Sequence, residues 1–287
     1  MKKLFLVIIT LICFGPATAR AHDVLVVQGL RVMPHDEALH GFRSACGADM
    51  RKLYLADLEG TDIARLVREE QPRLILAIGA DALKKLRPVK DVPIVYLMVV
   101  TPQMMVKGSR NITGVAMNVP PEKYLELLAR ISPRPKSVGV VYDPAKTGHL
   151  VKRAQQEARA YGIDLLAREV RSPREVATAV NNLKGMVDAL WMLPDTSVVT
   201  PETVELFLLT SQENNIPVIS FAGKYVEMGA LAALDIDVFD QGRQAGEMAV
   251  KILNGTAIAD LPAAEARHAP VKINQSVAKK LGITLRQ

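Results

Sequence analysis

Along the chain, runs of consecutive apolar residues alternate with segments in which apolar residues recur every three or four positions. The first run, VLVVQG (Val24 to Gly29), is apolar on successive residues, as expected of a parallel strand covered on both faces. A helical segment from Asp36 to Ala45 follows, then LYLAD, then Thr61 to Glu70 with Ile63, Leu66 and Val67 on one face. LILAIG (Leu74 to Gly79) reads as a buried strand, and PIVYLMV follows the KDVP turn. NITGVAMN leads to Pro120 and Pro121, and Pro121 suits the first turn of a helix carrying Leu125, Leu128 and Ile131.

After the breaker-rich ISPRPK the same rhythm resumes with the strand SVGVVYD. A helix is predicted from Lys146 to Tyr161, with Leu150, Ala154, Ala158 and Tyr161 on one stripe and Gly162 as its stop. DLLAREV is a strand, and Pro173 opens the next helix. The most informative stretch runs from Val187 to Gly255. It holds an apolar strand (Ala189 to Leu193), the polar turn LPDTSVVTP and a helix opened by Thr200-Pro201-Glu202. The strand PVISF, the apolar run GALAALDID and a helix with Val238, Ala245, Ala249 and Ile252 at helical spacing complete it. Thr200, Pro201 and Glu202 supply a capping hydroxyl, a proline at the first position and an acid in the first turn. Strand and helix in strict alternation predict an α/β fold with parallel sheets.

The 287 residues are enough for two domains of ordinary size. The first 21 have the features of a secretory signal: Lys2 and Lys3, the apolar stretch Leu4 to Phe14, and Ala19-Arg20-Ala21 before His22. The apolar stretch is short of the ~20 residues that span a bilayer, so the expectation is a cleaved peptide and a periplasmic protein. Ile12 before Cys13 argues against a lipidation site. Loss of Lys2, Lys3 and Arg20 takes the formal charge from +6 to +3, which gives no argument for a nucleic-acid partner. One cysteine remains, Cys46, so no internal disulfide is expected, and its place at a helix end reads as packing.

Motifs for catalysis are scarce. The chain has no Walker loop, no G-x-G-x-x-G after a strand, no H-E-x-x-H and no G-x-S-x-G. His35 and His40, in PHDEALH, are badly spaced to face one metal on a helix and read as a solvated helix start. No cofactor and no metal are expected, and the chain is not expected to be an enzyme.

In order and wording, the stretch from Val187 to Gly255 resembles the type I periplasmic substrate-binding proteins of ABC transporters, in particular the TrpX-like branch that binds tryptophan and related amino acids. The resemblance implies two Rossmann-like lobes with parallel sheets, a hinge and a central ligand cleft. It places residues 22–118 and 238–262 in the N-terminal lobe, and 119–237 and 263–287 in the C-terminal lobe. The implied function is the substrate-binding component of an ABC importer, a monomer that delivers a small polar metabolite to an inner-membrane permease. An amino acid is the favoured class, aromatic ones included. The alternatives are a periplasmic sensing subunit for a membrane signalling partner, and an uncharacterised α/β enzyme.

Ligands of open α/β sheets sit beyond the carboxyl ends of the strands. The candidates are therefore Ala80, Thr101, Tyr142, Thr147, Asp195, Thr196, Ser220, Phe221 and Asp235. Asp195 and Asp235 offer carboxylates to a ligand ammonium, although Asp195 could equally bond its own turn and Asp237 is an alternative to Asp235. Thr147 could meet a carboxylate at a helix start or serve as an ordinary cap. Tyr142, Phe221 and Tyr96 could wall an aromatic ligand or belong to the core. Thr101-Pro102 stands where the resembling proteins carry Asp-Pro, and the chain is shorter than they are between Ala45 and Lys52.

Overall fold

The computed structural model describes residues 22–285, so the signal-like segment lies outside the described residues. Two six-stranded sheets form the framework. The first contains β1 (Val24–Gln28), β2 (Met50–Tyr54), β3 (Leu74–Ile78), β4 (Ile94–Val99) and β5 (Ile112–Ala116) in the order 2-1-3-4-5, all parallel. After the short β6 (Ile131–Ser132), the second sheet repeats that order. It uses β7 (Ser137–Tyr142), β8 (Asp164–Glu169), β9 (Ala189–Trp191), β10 (Val218–Ser220) and β11 (Ala232–Leu234). The edges are closed by β12 (Ala264–Glu265) beside β5 and by β13 (Val271–Ile273), antiparallel to β11. A final strand, β14 (Thr284–Leu285), pairs antiparallel with β6. Each parallel sheet reverses its strand order beside its first strand, the place where such folds form a ligand crevice.

The apolar runs predicted as strands are buried along their length: β1, β3 and β4 have every residue inside. Helices cover both faces. On one face of the first sheet lie α1 (Met33–Ala45) and, far along the chain, the helix Val238–Leu253. On the other lie α2 (Ile63–Glu70) and α3 (Ala80–Leu86), with α4 (Gln103–Val106) at the sheet's carboxyl edge. The second sheet is covered by α5 (Pro121–Ala129), α6 (Gly148–Ala158), α7 (Pro173–Asn181), α8 (Pro201–Asn214) and α9 (Gly223–Met228). The helix Val238–Leu253 is α10, and α11 (Gln275–Leu281) completes the second lobe. The predicted start of α8 is realised as a reciprocal capping box between Thr200 and Thr203.

The return of the chain to the first lobe depends on glycine. A Cβ on Gly242 would lie 1.9 Å from the Ala38 carbonyl oxygen, and one on Gly41 would lie 1.9 Å from that of Phe239. Only glycine lets α1 and α10 approach so closely. The chain passes between the sheets three times, and the passages are bonded side by side. Ala266 N donates to Asn118 O (3.0 Å), Asp235 N to Pro270 O (3.0 Å) and Asp237 N to His268 O (3.1 Å). The third passage lies further on than the expected 262/263 division, because Ala264 and Glu265 still pair in the first sheet.

Several local expectations are displaced. The strand near LYLAD begins earlier, at Met50, and Leu55–Leu58 form a 3-10 turn. Lys146 and Thr147 precede α6 in a turn instead of opening it, and Arg159–Tyr161 continue it as 3-10 helix. His35 is no solvated helix residue: it is 8% exposed, with its ring packed on Gly79. Burial lowers its pKa, against the opposing influence of the Leu30 carbonyl and Asp36. Cys46 caps α1 inside the core, and burial pushes its thiol up.

Candidate ligand cleft

The two sheets are joined by the three passages, and side chains of one helix bridge the lobes. At the passages, Arg153 of α6 holds Glu122 of α5 through two hydrogen bonds and reaches Glu265 of β12 (2.9 Å). Glu265 also accepts from Asn118 Nδ2 (2.7 Å). One turn earlier on α6, His149 is bonded by Gln103 of α4. One helix of the second lobe therefore touches the first lobe through two side chains one turn apart, His149 and Arg153.

The turn after β9 is built around Asp195, which is 1% exposed. One carboxylate oxygen accepts from Asp143 N (2.8 Å) and from the Thr147 hydroxyl (2.5 Å), and the other from Ser197 N (2.9 Å). Ser197 in turn donates its hydroxyl to Asp143 (2.8 Å). The carboxylate fastens the turn after β9 to the turn after β7. Of the two roles read for Asp195 in the sequence, the geometry realises turn bonding, and the charge is spent inside the protein. Thr147 is fully buried and its hydroxyl is committed to Asp195. Thr196 is exposed, and its hydroxyl accepts from Lys146 Nζ (2.7 Å).

Asp235 is different. It is partly exposed; one oxygen accepts from Gly223 N (2.8 Å) and the other pairs with Lys272 (2.7 Å). A carboxylate has about four acceptor positions, and Gly223 and Lys272 fill two of them. Its charge is also felt by the buried phenol of Tyr124, whose pKa is raised first by desolvation and then by Asp235. Tyr124 lies against Trp191, with ring centres 5.0 Å apart.

The aromatic candidates separate. Tyr142 donates its hydroxyl to Glu169 (2.9 Å) and packs on the second lobe's core, and Tyr96 is 1% exposed within the first. Burial raises the Tyr96 phenol to about 12. Phe221 is partly exposed and makes an edge contact with Tyr225 (5.2 Å). Ser220 is fully buried, with Ala222 N 3.4 Å from its oxygen. Ala80 and Thr101 are partly exposed on the first lobe's carboxyl edge. Just before Thr101, Met98 adopts φ +59° where the register of β4 against β5 shifts. Such bulges re-aim the chain beside functional sites.

Other residues in this region escaped the sequence reading. Gln28, Asn118, Trp191 and Gln241 are each at most 5% exposed, yet each leaves one side-chain atom without a hydrogen-bond partner among the described residues. Gln28 ends β1, Trp191 ends β9, Asn118 follows β5, and Gln241 donates to Ala116 O (3.0 Å) at the end of β5. A polar residue closing an apolar strand was the signal available, as Gln28 in VLVVQG illustrates. No group of three or more metal-ligating side chains is assembled among the described residues. The arrangement suits reversible binding of a small molecule between two rigid edges.

The family model described as ABC transporter substrate binding protein matches residues 56–287. A curated relative, the tyrosine-binding protein of Clostridioides difficile (strain R20291), is 26% identical over 200 residues, which is 67% of this chain and 57% of that protein. The chain thus matches little more than half of that relative's length. A solved structure from Clostridium difficile, the ligand-free, open form of a substrate binding protein with adhesive properties, has a TM-score of 0.72 and 26% identity, covering 91% of this chain and 95% of that one. A domain from Streptococcus pneumoniae in complex with L-Trp has a TM-score of 0.65 and 23% identity, covering 92% of this chain and 95% of that one.

Proposed function

Because the chain belongs to the family of ABC transporter substrate-binding proteins, we propose that it captures an amino acid between its lobes and delivers it to an inner-membrane permease. Its place of work on this reading is the periplasm, reached through the signal-like first 21 residues. Aromatic amino acids are the favoured ligands. A curated relative is named for tyrosine and a solved structure of the same fold holds L-Trp, and the second lobe carries the Tyr124–Trp191 ring pair near Asn118 of the first passage.

The observation that carries the reading is the partly exposed carboxylate of Asp235 at the second passage, shared with Lys272, whose charge reaches the buried Tyr124. It suits an ammonium group at one end of the ligand and an aromatic group at the other. Ala80, Thr101 and Phe221 complete the proposed lining, while Asp195, Thr147 and Thr196 fix the loops that frame it. A ligand that touches both lobes only when they are closed shifts the population toward that form, the one a permease would recognise. The Gln103–His149 contact belongs to the closed form on this account.

A thermal-shift screen of the protein against the amino acids tests the proposal. A ligand at 100 times its Kd adds about 2.7 kcal/mol of stability, or roughly 5–10 °C in Tm for a chain of this size. A shift with aromatic amino acids is the expected result; no shift with any amino acid would overturn it.

A further inference from the structure

Beside the second passage, the edge of the second sheet carries a pair of opposite charges. Asp235 follows β11, and Lys272 stands in β13, opposite Ala233 of β11. Lys272 Nζ lies 2.7 Å from one carboxylate oxygen of Asp235, and the other oxygen accepts from Gly223 N (2.8 Å). Solvent reaches both side chains, which are 27% (Asp235) and 53% (Lys272) exposed. Glycine at 223 is what seats the pair. A Cβ there would stand 2.7 Å from Lys272 Cδ, 2.8 Å from its Nζ and 2.8 Å from Asp235 Oδ2, so any larger residue at the start of α9 would displace both side chains.

The other cations of the passages and nearby loops are committed elsewhere. Arg153 is held by Glu122 and Glu265, Arg267 by Asp240 and Glu247, and Lys146 by Thr196. Among the described residues Lys272 is ion-paired with a single carboxylate, the one proposed to take the ligand's ammonium. A simple amine entering beside Asp235 therefore meets Lys272 as a like charge, and taking the carboxylate from Lys272 strips it of its counter-ion. An α-amino acid removes that conflict, because the carbon that bears its ammonium also bears its carboxylate. Two ligand charges then meet two protein charges of opposite sign, and the net charge of the site does not change.

We propose that Lys272 is a ligand-binding residue: Asp235 and Lys272 separate as the ligand enters, Asp235 holding its ammonium and Lys272 its carboxylate. The cleft then selects a free α-amino acid over the amine with the same side chain. The flexible stem of lysine lets Nζ follow the carboxylate. This rests on the amino-acid reading above and adds a residue that the strand-end rule does not reach, since Lys272 lies within the three-residue β13, antiparallel to its neighbour.

The test titrates the full chain by calorimetry with L-tryptophan, L-tyrosine and L-leucine. Tryptamine, tyramine and isopentylamine are the matching amines, which keep the ammonium and lack the carboxylate. An amino acid that binds should do so at least roughly tenfold more tightly than its amine, the worth of one hydrogen bond to a charged group. Lys272→Met keeps an apolar stem and removes the charge. It should weaken the amino acid and tighten the amine, each severalfold, because Asp235 loses its resident cation. A role for Lys272 in folding alone would not tighten the amine. Lys272→Arg should keep the preference for the amino acid. Lys272 is exposed, so these variants leave the core intact. A wild-type ratio near one, or a ratio that Lys272→Met leaves unchanged, would overturn the inference, while saturable amino-acid binding would keep the proposed function standing. Binding of no amino acid would refute both.

Discussion

Replacing Asp195 by alanine should make the ligand-free protein unfold more readily. The carboxylate is 1% exposed and accepts from two backbone N–H groups and one hydroxyl. Alanine leaves three donors in a site that is closed to solvent. Each unsatisfied buried donor costs about 1–3 kcal/mol, with partial relief where water enters the space left behind. The expected loss is therefore about 3–5 kcal/mol, in the range for breaking a buried charged partner. For a chain of this length that is roughly 10 °C or more in Tm. Asp195→Asn is the informative companion. Its carbonyl can replace one oxygen, but its NH₂ then faces a backbone N–H, so it should recover little of the loss. Urea denaturation of ligand-free wild type and both variants measures these differences. If Asp195→Ala stayed within about 1 kcal/mol of wild type while ligand affinity collapsed, Asp195 would be a ligand contact and the loop-anchor account would be wrong.

Gly242→Ala should force α10 away from α1, because its Cβ would stand 1.9 Å from the Ala38 carbonyl oxygen. Overpacking of this kind costs about 1–3 kcal/mol or more, and an unchanged thermal melt would refute the close approach. Asp240 is bonded by Arg267 and Arg243, and these hold its pKa at about 2, below the ordinary 3.8. The stability it contributes is full above about pH 4 and is lost as pH falls through about 2. The stability gap between wild type and Asp240→Asn should therefore close over that window, and a gap independent of pH would contradict the assignment. His149→Ala removes the bridge to Gln103 between the lobes. It should raise the ligand's dissociation rate severalfold and leave Tm within about 2 °C, as expected of an exposed contact. An unchanged dissociation rate would deny the bridge a part in closure.

The parts legible in the sequence were those that local pattern determines. β1, β3 and β4 are buried on both faces, so their apolar runs are unbroken, and Thr200-Pro201-Glu202 carries its helix start in three adjacent residues. The short strands β12, β13 and β14, of two or three residues each, are too brief to show a period and exist through their partners. The site was less legible for the same reason. Asp195 looks like any strand-end acid until Asp143 and Thr147, about fifty residues earlier, are brought against it. His35 reads as a polar helix residue, and only the fold brings Gly79 under its ring. Trp191 and Asn118 lie 73 positions apart and border one gap only because the fold brings the first passage against the end of β9. Asp235 was read as a candidate at the chain's expected second crossing, and the fold leaves it partly exposed there, with its N–H bonded to Pro270.

Isothermal titration of aromatic amino acids into the protein, beside Asp235→Ala, is the most direct test of the central claim. The account predicts one site per chain and a loss of affinity worth about 2–5 kcal/mol in the variant, as for removal of one partner of a desolvated charge pair. Saturable binding that is untouched by Asp235→Ala, or no binding of any amino acid, would contradict it.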